Sequence, residues 1–246
     1  MKENSTRYVS GKKIEASMRG IVRSMAFVEC PMQNTPNIKS MFIAGTNYGR
    51  LYILTLRFQT YERHMYIKAV DSTKEVQMNH KAPIINLKLI GLEYPSIFLS
   101  PFNECSNKIT PFDHYLLCCT EEQIKLINLF NLKTKMKLNL TSTQGIRIKK
   151  LFIFNKNEGD PSKYSHYLVG YSCFGSVMVI GLNKLKTLRS FPFLNKEDIL
   201  PINTISMTQD GCGILQNTSS ELMLFTIKSS NVRSIPDQTE PQAQHK

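Results

Sequence analysis

The sequence predicts an all-β fold, because one hairpin pattern recurs four times and no segment shows sustained helical periodicity. In each copy, an apolar run is followed by a tight turn and then by a second apolar run with period-2 alternation. The four copies span residues 40–56, 114–129, 166–182 and 213–227. Such repeats are typical of the four-stranded antiparallel blades of a WD40-like β-propeller.

Each hairpin is predicted to turn at residues that suit tight turns. The turns contain Asn47 and Gly49, Glu121 and Glu122, Phe174 and Gly175, and Ser219 and Ser220. Gly and Asn tolerate the positive φ that such turns often require. After the first turn, Leu51 and Ile53 point to one face while Tyr52 and Leu54 point to the other. Both faces are therefore apolar, which predicts sheets that are covered on both sides.

Further strands are predicted on either side of the hairpins. The preceding strands span residues 21–28, 84–90, 148–154 and 202–207, and the following strands span 75–78, 133–140 and 187–193. The chain thus contains about four predicted blades, and the fourth lacks a clear outer strand. Because so few blades would leave apolar faces open, we expect an incomplete propeller, the C-terminal part of a longer protein.

The other segments are predicted to lie outside the blades, which occupy residues 20–227. Residues 1–19 are polar and basic and are expected to be flexible, and residues 228–246 are expected to form a disordered tail. An insertion rich in Pro, Ser and Asn interrupts the blades at residues 92–111.

The formal net charge is +12, from 31 Lys and Arg against 19 Asp and Glu. Three interpretations stay open: a solvated basic face, a surface for an acidic protein or anionic lipid, and a nucleic-acid site. The lack of an aromatic ladder or zinc finger argues against nucleic acid. The basic surface candidates are Lys12, Lys13, Lys133, Lys135, Lys137, Arg147, Lys149 and Lys150. The alternating lysines at 133, 135 and 137 predict an exposed edge strand.

No pattern in the sequence indicates catalysis, a cofactor, a metal or a small-molecule substrate. The five histidines lack metal-binding spacing, and the glycines form no phosphate-binding loop. The six cysteines fit no metal pattern. His114 and His166 occupy equivalent repeat positions, which favours a structural role. The absence of such patterns leads us to expect a non-enzymatic protein. Because residues 1–20 lack the apolar core of a secretory signal and no run approaches a membrane span, we expect a cytoplasmic protein with reduced thiols.

One serine near the N-terminus is a candidate for phosphorylation. Ser10 lies between Arg7 and the pair Lys12 and Lys13, a setting that basophilic kinases prefer. A phosphate there would reduce the local positive charge by about 1.5–2 units and weaken a contact with anionic lipid. The alternative is an unmodified tail serine.

Several segments resemble the lethal giant larvae family of polarity proteins, which are related to tomosyn. They are GIVRSMAFVE (20–29), AGTNYGRLYILTL (44–56), KEVQMNHKAPI (74–84), TEEQIKLINL (120–129) and KMKLNLTSTQGIRIKKL (135–151). The order and spacing follow the family across residues 10–227. The resemblance implies a chain of two seven-bladed propellers, of which this sequence would cover the last blades of the second.

The resemblance also implies a function. Family members are scaffolds that bind syntaxin-type SNAREs, non-muscle myosin II and the atypical protein kinase C complex. They act in exocytosis and apical–basal polarity at the cell cortex and plasma membrane. VSGKK (9–13) is similar to the distal end of the loop that this kinase phosphorylates in the family, and the tail lacks the SNARE-type heptads of tomosyn. The alternative is a generic propeller adaptor in trafficking or ubiquitin-ligase assembly that does not bind syntaxin.

Overall fold

The computed structural model describes residues 7–9, 20–32, 35–61, 64–78, 80–91, 114–141, 145–157, 164–182, 184–199, 204–217 and 220–227. Within these ranges the chain forms strands, turns and one short 3-10 helix, Lys196–Asp198. The predicted all-β class is confirmed. Apolar side chains are frequent along the strands, on one face or on both, and the β-branched residues among them favour extended backbone.

The strands are numbered in chain order. They are β1 (Arg7–Val9), β2 (Val22–Met32), β3 (Thr35–Thr46), β4 (Arg50–Tyr61), β5 (His64–Gln77), β6 (Ile84–Gly91), β7 (His114–Thr120), β8 (Gln123–Asn128), β9 (Thr134–Asn139), β10 (Ile148–Asn157), β11 (Tyr164–Ser172), β12 (Ser176–Gly181), β13 (Lys186–Pro192), β14 (Thr204–Met207), β15 (Cys212–Gln216) and β16 (Leu222–Thr226).

These strands form four antiparallel sheets. Sheet 1 has the order β1-β5-β4-β3-β2, sheet 2 the order β6-β7-β8-β9, sheet 3 the order β10-β11-β12-β13, and sheet 4 the order β14-β15-β16. Apart from β1, neighbours in each sheet are neighbours in the sequence, which is the strand order of a propeller blade. The described sheets thus contain five, four, four and three strands rather than four each.

The chain divides into two compact units, Met1–Leu151 and Phe152–Lys246, with the boundary inside β10. In the first unit, sheets 1 and 2 pack face to face. Ile43 and Ile53 of sheet 1 share one buried cluster with Leu87, Leu116 and Cys118 of sheet 2. All seven residues of β7 are buried, as expected for a strand that is covered on both faces.

The second unit contains its own core between sheets 3 and 4. Val169 and Val179 of sheet 3 lie in one buried cluster with Ile205 and Leu215 of sheet 4. The rings of Phe193 and Phe225 meet edge to face, with centroids 5.0 Å apart. Such aromatic pairs add to the stabilisation that burial provides.

Three hairpin turns share the pattern Thr/Ser-x-x-Gly, at residues 46–49, 172–175 and 208–211. Their glycines have φ of 67°, 69° and 91°, a region that side chains rarely adopt. The hydroxyl closes each turn: Arg50 N donates to Thr46 Oγ1 at 3.2 Å, Ser176 N donates to Ser172 Oγ at 3.1 Å, and Thr208 Oγ1 donates to Cys212 O at 2.9 Å. A fourth turn, at 120–123, keeps the hydroxyl but lacks the glycine.

One backbone hydrogen bond, which we call the turn clamp, recurs in all four sheets. A buried apolar residue that follows the last strand donates its N–H to a carbonyl of the turn. The bonds are Met78 N to Gly49 O at 2.8 Å, Leu140 N to Glu122 O at 2.9 Å, Leu194 N to Gly175 O at 2.9 Å, and Ile227 N to Gly211 O at 2.9 Å. In each sheet, a residue just after the last strand is therefore bonded to the turn between the second-last and third-last strands.

The turn clamp corrects the predicted alignment of the fourth repeat. The turn at Ser219 and Ser220 was expected to match the other hairpins, but the equivalent turn is the one at residues 208–211. Strands β14, β15 and β16 therefore match the second, third and fourth strands of the other sheets. Among the described residues, sheet 4 lacks a first strand, not an outer one. Hydropathy alone gave the wrong alignment because the run at 213–227 is also apolar.

Several predicted segments fall outside the described residues. These are residues 1–6 and 10–19 of the expected flexible segment, the insertion at 92–111, and the tail at 228–246. The remaining residues of the expected flexible segment 1–19, Arg7–Val9, are described. They form β1 and pair with β5, with Arg7 opposite Glu75. The proposed domain boundaries otherwise stay predictions.

The largest departure from the expected strands is the hairpin of β4 and β5. The outer strand of sheet 1 was predicted at residues 75–78, but β5 begins at His64, and β4 continues to Tyr61. Strand β3 pairs with β4 only as far as Leu56. Beyond that point, residues 57–61 and 64–69 pair only with each other. We call this two-stranded extension the distal ribbon.

Candidate interaction surfaces

The lysines near β9 form the most regular basic surface on the described part of the chain. Lys135 and Lys137 lie in β9, the edge strand of sheet 2, and Lys133 lies just before it. All three side chains are exposed. The register with β8 shifts opposite Lys135, which forms a β-bulge. Bulges and edge lysines both discourage pairing with another strand, so this edge is suited to charge contacts.

The other basic candidates lie on separate elements. Arg147 is exposed, and its Nη2 lies 3.5 Å from Glu122 Oε1. His80 Nδ1 lies 3.9 Å from Glu122 Oε2, so one carboxylate contacts both groups. Lys149 is half-buried and Lys150 is exposed on β10. Ser10, Lys12 and Lys13 lie outside the described residues.

Two lysines that the sequence did not single out are withdrawn from solvent. Lys125 is only 4% exposed on β8, where it lies between Cys118 and Lys137 in register. Burial lowers the pKa of Lys125, against an opposite effect of Cys118, and Lys137 lowers it further. Burial also lowers the pKa of Lys74, and Lys39 adds to that effect. The flanking Ile124 and Leu126 were the sequence signal for Lys125, whereas the polar neighbours of Lys74 gave none.

An open cavity of about 490 Å³ lies beside the first repeated turn. It is lined by Gly20, Tyr48, Arg50, Gln77 and Lys81. Arg50 Nη1 is 3.0 Å from Glu75 Oε1, and the Gln77 amide donates to Gly49 O at 3.2 Å. Arg50 and Gln77 are thus engaged in holding the turn and the strands beside it.

His114 and His166 occupy the same position in their hairpins. Leu129 N donates to His114 O at 3.0 Å, and Leu182 N donates to His166 O at 3.4 Å. The two histidines therefore hold equivalent hairpin positions. In the part of the chain that the structure describes, no group of three or more His, Cys, Asp or Glu could hold a metal ion. Within the same ranges, no helix has the length and apolar character needed to cross a membrane.

The described cysteines differ sharply in their surroundings. Cys118 and Cys119 are buried neighbours on β7, so their side chains point to opposite faces. Burial raises the pKa of Cys118 to about 12 and that of Cys119 well above its usual value. Cys212 is exposed at the start of β15.

These surroundings predict selective alkylation. At pH 8, iodoacetamide is expected to modify Cys212 in the folded chain and to leave Cys118 and Cys119 unmodified, because only an accessible thiolate reacts. Peptide mass spectrometry over a time course measures each site, and the same reaction in guanidinium chloride serves as the control. Equal folded-state rates at Cys118 and Cys212 would contradict the burial of β7.

Exposed apolar side chains form surfaces that the sequence pattern only partly indicated. Sheet 4 exposes Ile214, Leu222 and Leu224. A shallow cavity of about 370 Å³ lies over Ile214 and Leu224. The distal ribbon was missed altogether, although its period-2 alternation was a usable signal. Its exposed apolar residues are Phe58, Tyr61, Met65, Tyr66 and Ile67.

The fold and these surfaces define a β protein built from repeated blade-like sheets, with basic and apolar patches on strand edges and extensions. No family model matches the chain. It is 26% identical over 231 residues to human LLGL scribble cell polarity complex component 2, covering 91% of this chain and 22% of that protein. It is 23% identical over 235 residues to mouse Lethal(2) giant larvae protein homolog 1, covering 92% and 23%.

A third relative is the Lethal(2) giant larvae protein of Drosophila pseudoobscura pseudoobscura, 24% identical over 197 residues, which covers 65% of this chain and 17% of that protein. The predicted resemblance to the lethal giant larvae family is confirmed by these matches. The chain spans about a fifth of the length of these relatives. Among solved structures, the crystal structure of Saccharomyces cerevisiae Sqt1 matches with a TM-score of 0.48 and 14% identity, covering 79% of this chain and 46% of that one.

Proposed function

We propose that this chain acts as a non-enzymatic scaffold of the lethal giant larvae type in cell polarity. The observation that carries the proposal is the similarity to a cell polarity complex component along 91% of the chain. The described surfaces support it, because exposed strands, extensions and basic edges suit binding of large partners more than they suit chemistry on a small molecule.

The proposed partners follow from the same resemblance. They are syntaxin-type SNAREs, non-muscle myosin II and the atypical protein kinase C complex, and the proposed process is regulated exocytosis at the cell cortex and plasma membrane. Lys133, Lys135 and Lys137 are the described residues best placed to contact an acidic protein or an anionic membrane. Ser10 is the proposed phosphorylation site that would weaken such contacts.

Charge reversal on β9 tests the role of this edge. The variant K133E/K135E/K137E is expected to lose cortical location in a polarised epithelium, since each lysine near an anionic surface contributes about 1 kcal/mol. K184E/K186E/R189E is the matched control, because it also reverses three charges, β13 is the equivalent outer strand of sheet 3, and all three side chains are exposed. Fluorescence imaging of tagged chains measures the location. Cortical location of the β9 variant would remove this edge from the proposal.

The partner proposal requires its own experiment. The purified chain of 246 residues is expected to bind the cytoplasmic domain of a syntaxin, measured by biolayer interferometry. Expression of the same chain is expected to restore apical–basal markers in cells from which the endogenous protein has been depleted. Restored polarity without syntaxin binding would favour the second candidate, a generic propeller adaptor. Normal polarity in depleted cells would contradict the polarity role itself.

A further inference from the structure

The distal ribbon receives no strand pairing from the rest of sheet 1. Residues 57–61 of β4 and 64–69 of β5 pair only with each other. Every side chain from Arg57 to Tyr61 and from His64 to Lys68 is exposed. A two-stranded hairpin without a covered face is marginally stable in water, so this element gains more than most from a surface that covers it.

The ribbon has one apolar face and one polar face. Phe58 lies opposite Ile67, and Thr60 lies opposite Met65, so these residues share a face. Met65, Ile67 and Phe58 are 66%, 57% and 37% exposed, respectively. Large apolar side chains rarely stand so open side by side unless they bind something.

The opposite face carries polar and amphipathic groups. Gln59 lies opposite Tyr66 and Tyr61 opposite His64, and the rings of His64 and Tyr66 are 6.4 Å apart. Tyrosines are favoured where one end of the ring meets an apolar layer and the hydroxyl meets water. At the base of the ribbon, Arg57 Nη2 lies 2.6 Å from Asp71 Oδ1, which anchors the extension to sheet 1.

The charge of the ribbon indicates what covers it. By sequence, residues 57–71 contain three cationic residues, Arg57, Arg63 and Lys68, and two acidic residues, Glu62 and Asp71. The whole chain has a net charge of +12. An exposed apolar face on a chain of net positive charge matches the interfacial layer of an anionic membrane, where acyl chains lie beneath negative headgroups.

We infer that the distal ribbon inserts Phe58, Met65 and Ile67 into the interface of an anionic membrane. The inference rests on the peripheral membrane location proposed above and adds an apolar contact on a different element from the lysines near β9. The membrane covers the open face, and the exposed Lys68 of the ribbon lies beside the lipid phosphates.

The chain contains no tryptophan, so a single introduced tryptophan reports without background. The full chain with Phe58→Trp is mixed with vesicles of phosphatidylcholine and phosphatidylserine. Its emission is expected to shift to shorter wavelength and to be quenched by lipids brominated in the acyl chain. Ile214→Trp is the matched control, because Ile214 is also exposed and apolar but lies on sheet 4. Its emission is expected to stay unchanged.

A second measurement compares the affinity for the same vesicles by co-sedimentation. F58S/M65S/I67S is expected to bind at least about tenfold more weakly than the unchanged chain, as loss of buried apolar area predicts. I214S/L222S/L224S removes three exposed apolar side chains from sheet 4 and is expected to bind normally. All six positions are exposed or half-exposed, so the folds are expected to survive, and circular dichroism checks this.

Three results would overturn the inference. Vesicle binding that persists in F58S/M65S/I67S but is lost in K133E/K135E/K137E would place the membrane contact at β9 and leave the membrane location intact. Absence of vesicle binding by the unchanged chain would refute both the ribbon contact and the direct lipid contact, while the polarity role is tested separately. Loss of syntaxin binding with normal vesicle binding in the ribbon variant would make the ribbon a protein-docking element.

Discussion

Replacing Gly49 with alanine is expected to lower the free energy of unfolding by about 3 kcal/mol. Gly49 has a φ of 67°, which costs a residue with a side chain about 1–2 kcal/mol. The added Cβ would also lie 2.5 Å from His80 O and 3.1 Å from Ala82 O. Both are backbone atoms, so neither can move aside by a change of rotamer, and the turn clamp from Met78 to Gly49 would be displaced.

Gly145→Ala is a matched control for this prediction. Gly145 has the same φ of 67°, but no atom lies within 4 Å of an added Cβ. Its expected cost is about 1 kcal/mol, from the backbone conformation alone. Urea unfolding followed by circular dichroism measures both variants. Equal losses at the two positions would show that the contacts of the Gly49 turn with residues 80 and 82 carry little energy.

Truncation of Ile84 to alanine is expected to cost about 3–4 kcal/mol. Ile84 is fully buried and begins β6 in sheet 2, where it contacts Gly45 of β3 in sheet 1. A Cβ on residue 45 would lie 2.5 Å from Ile84 Cγ2. Gly45→Ala alone is therefore expected to destabilise the chain by about 2 kcal/mol through overpacking.

The double variant G45A/I84A is expected to be more stable than the sum of the single effects allows, by at least about 1 kcal/mol. The new methyl group would occupy part of the space that the isoleucine leaves. Ile214→Ala, at a position 45% exposed, is the control and is expected to change stability by less than about 0.5 kcal/mol. Additive effects of G45A and I84A would contradict direct packing between the two sheets at this point.

Local patterns were sufficient to predict several strands with nearly correct bounds. The strand expected at residues 84–90 is Ile84–Gly91, and the outer strand expected at 187–193 is Lys186–Pro192. In the first of these, apolar and polar side chains alternate over residues 85–89 with the period of a strand. The exposed lysines at 133, 135 and 137 were accessible to the same reasoning, because an edge strand needs charge.

Other features depend on contacts that are distant in sequence. The distal ribbon itself is a local hairpin, but the point where it separates from sheet 1 depends on where β3 stops pairing with β4, and no local signal marks that point. The position of Arg147 beside Glu122 and His80 depends on three separate segments meeting. The turn pattern of sheet 4 was present in the sequence, but the matching turn of sheet 2 lacks the glycine, which obscured the repeat.

The turn clamp distinguishes the two ends of each sheet, one that carries the clamp and one that does not. The clamp holds the end where β6 begins, at Ile84 opposite Thr120. The chain leaves sheet 2 at the other end, from Gly91, and returns opposite it at His114 after a long connection. The distal ribbon also extends from the unclamped end of sheet 1. Because the entropy of closing a loop grows slowly with its length, the unclamped ends can accept new segments while the spacing of the sheets is kept. New binding elements in such chains are therefore expected to accumulate on one side of the repeat.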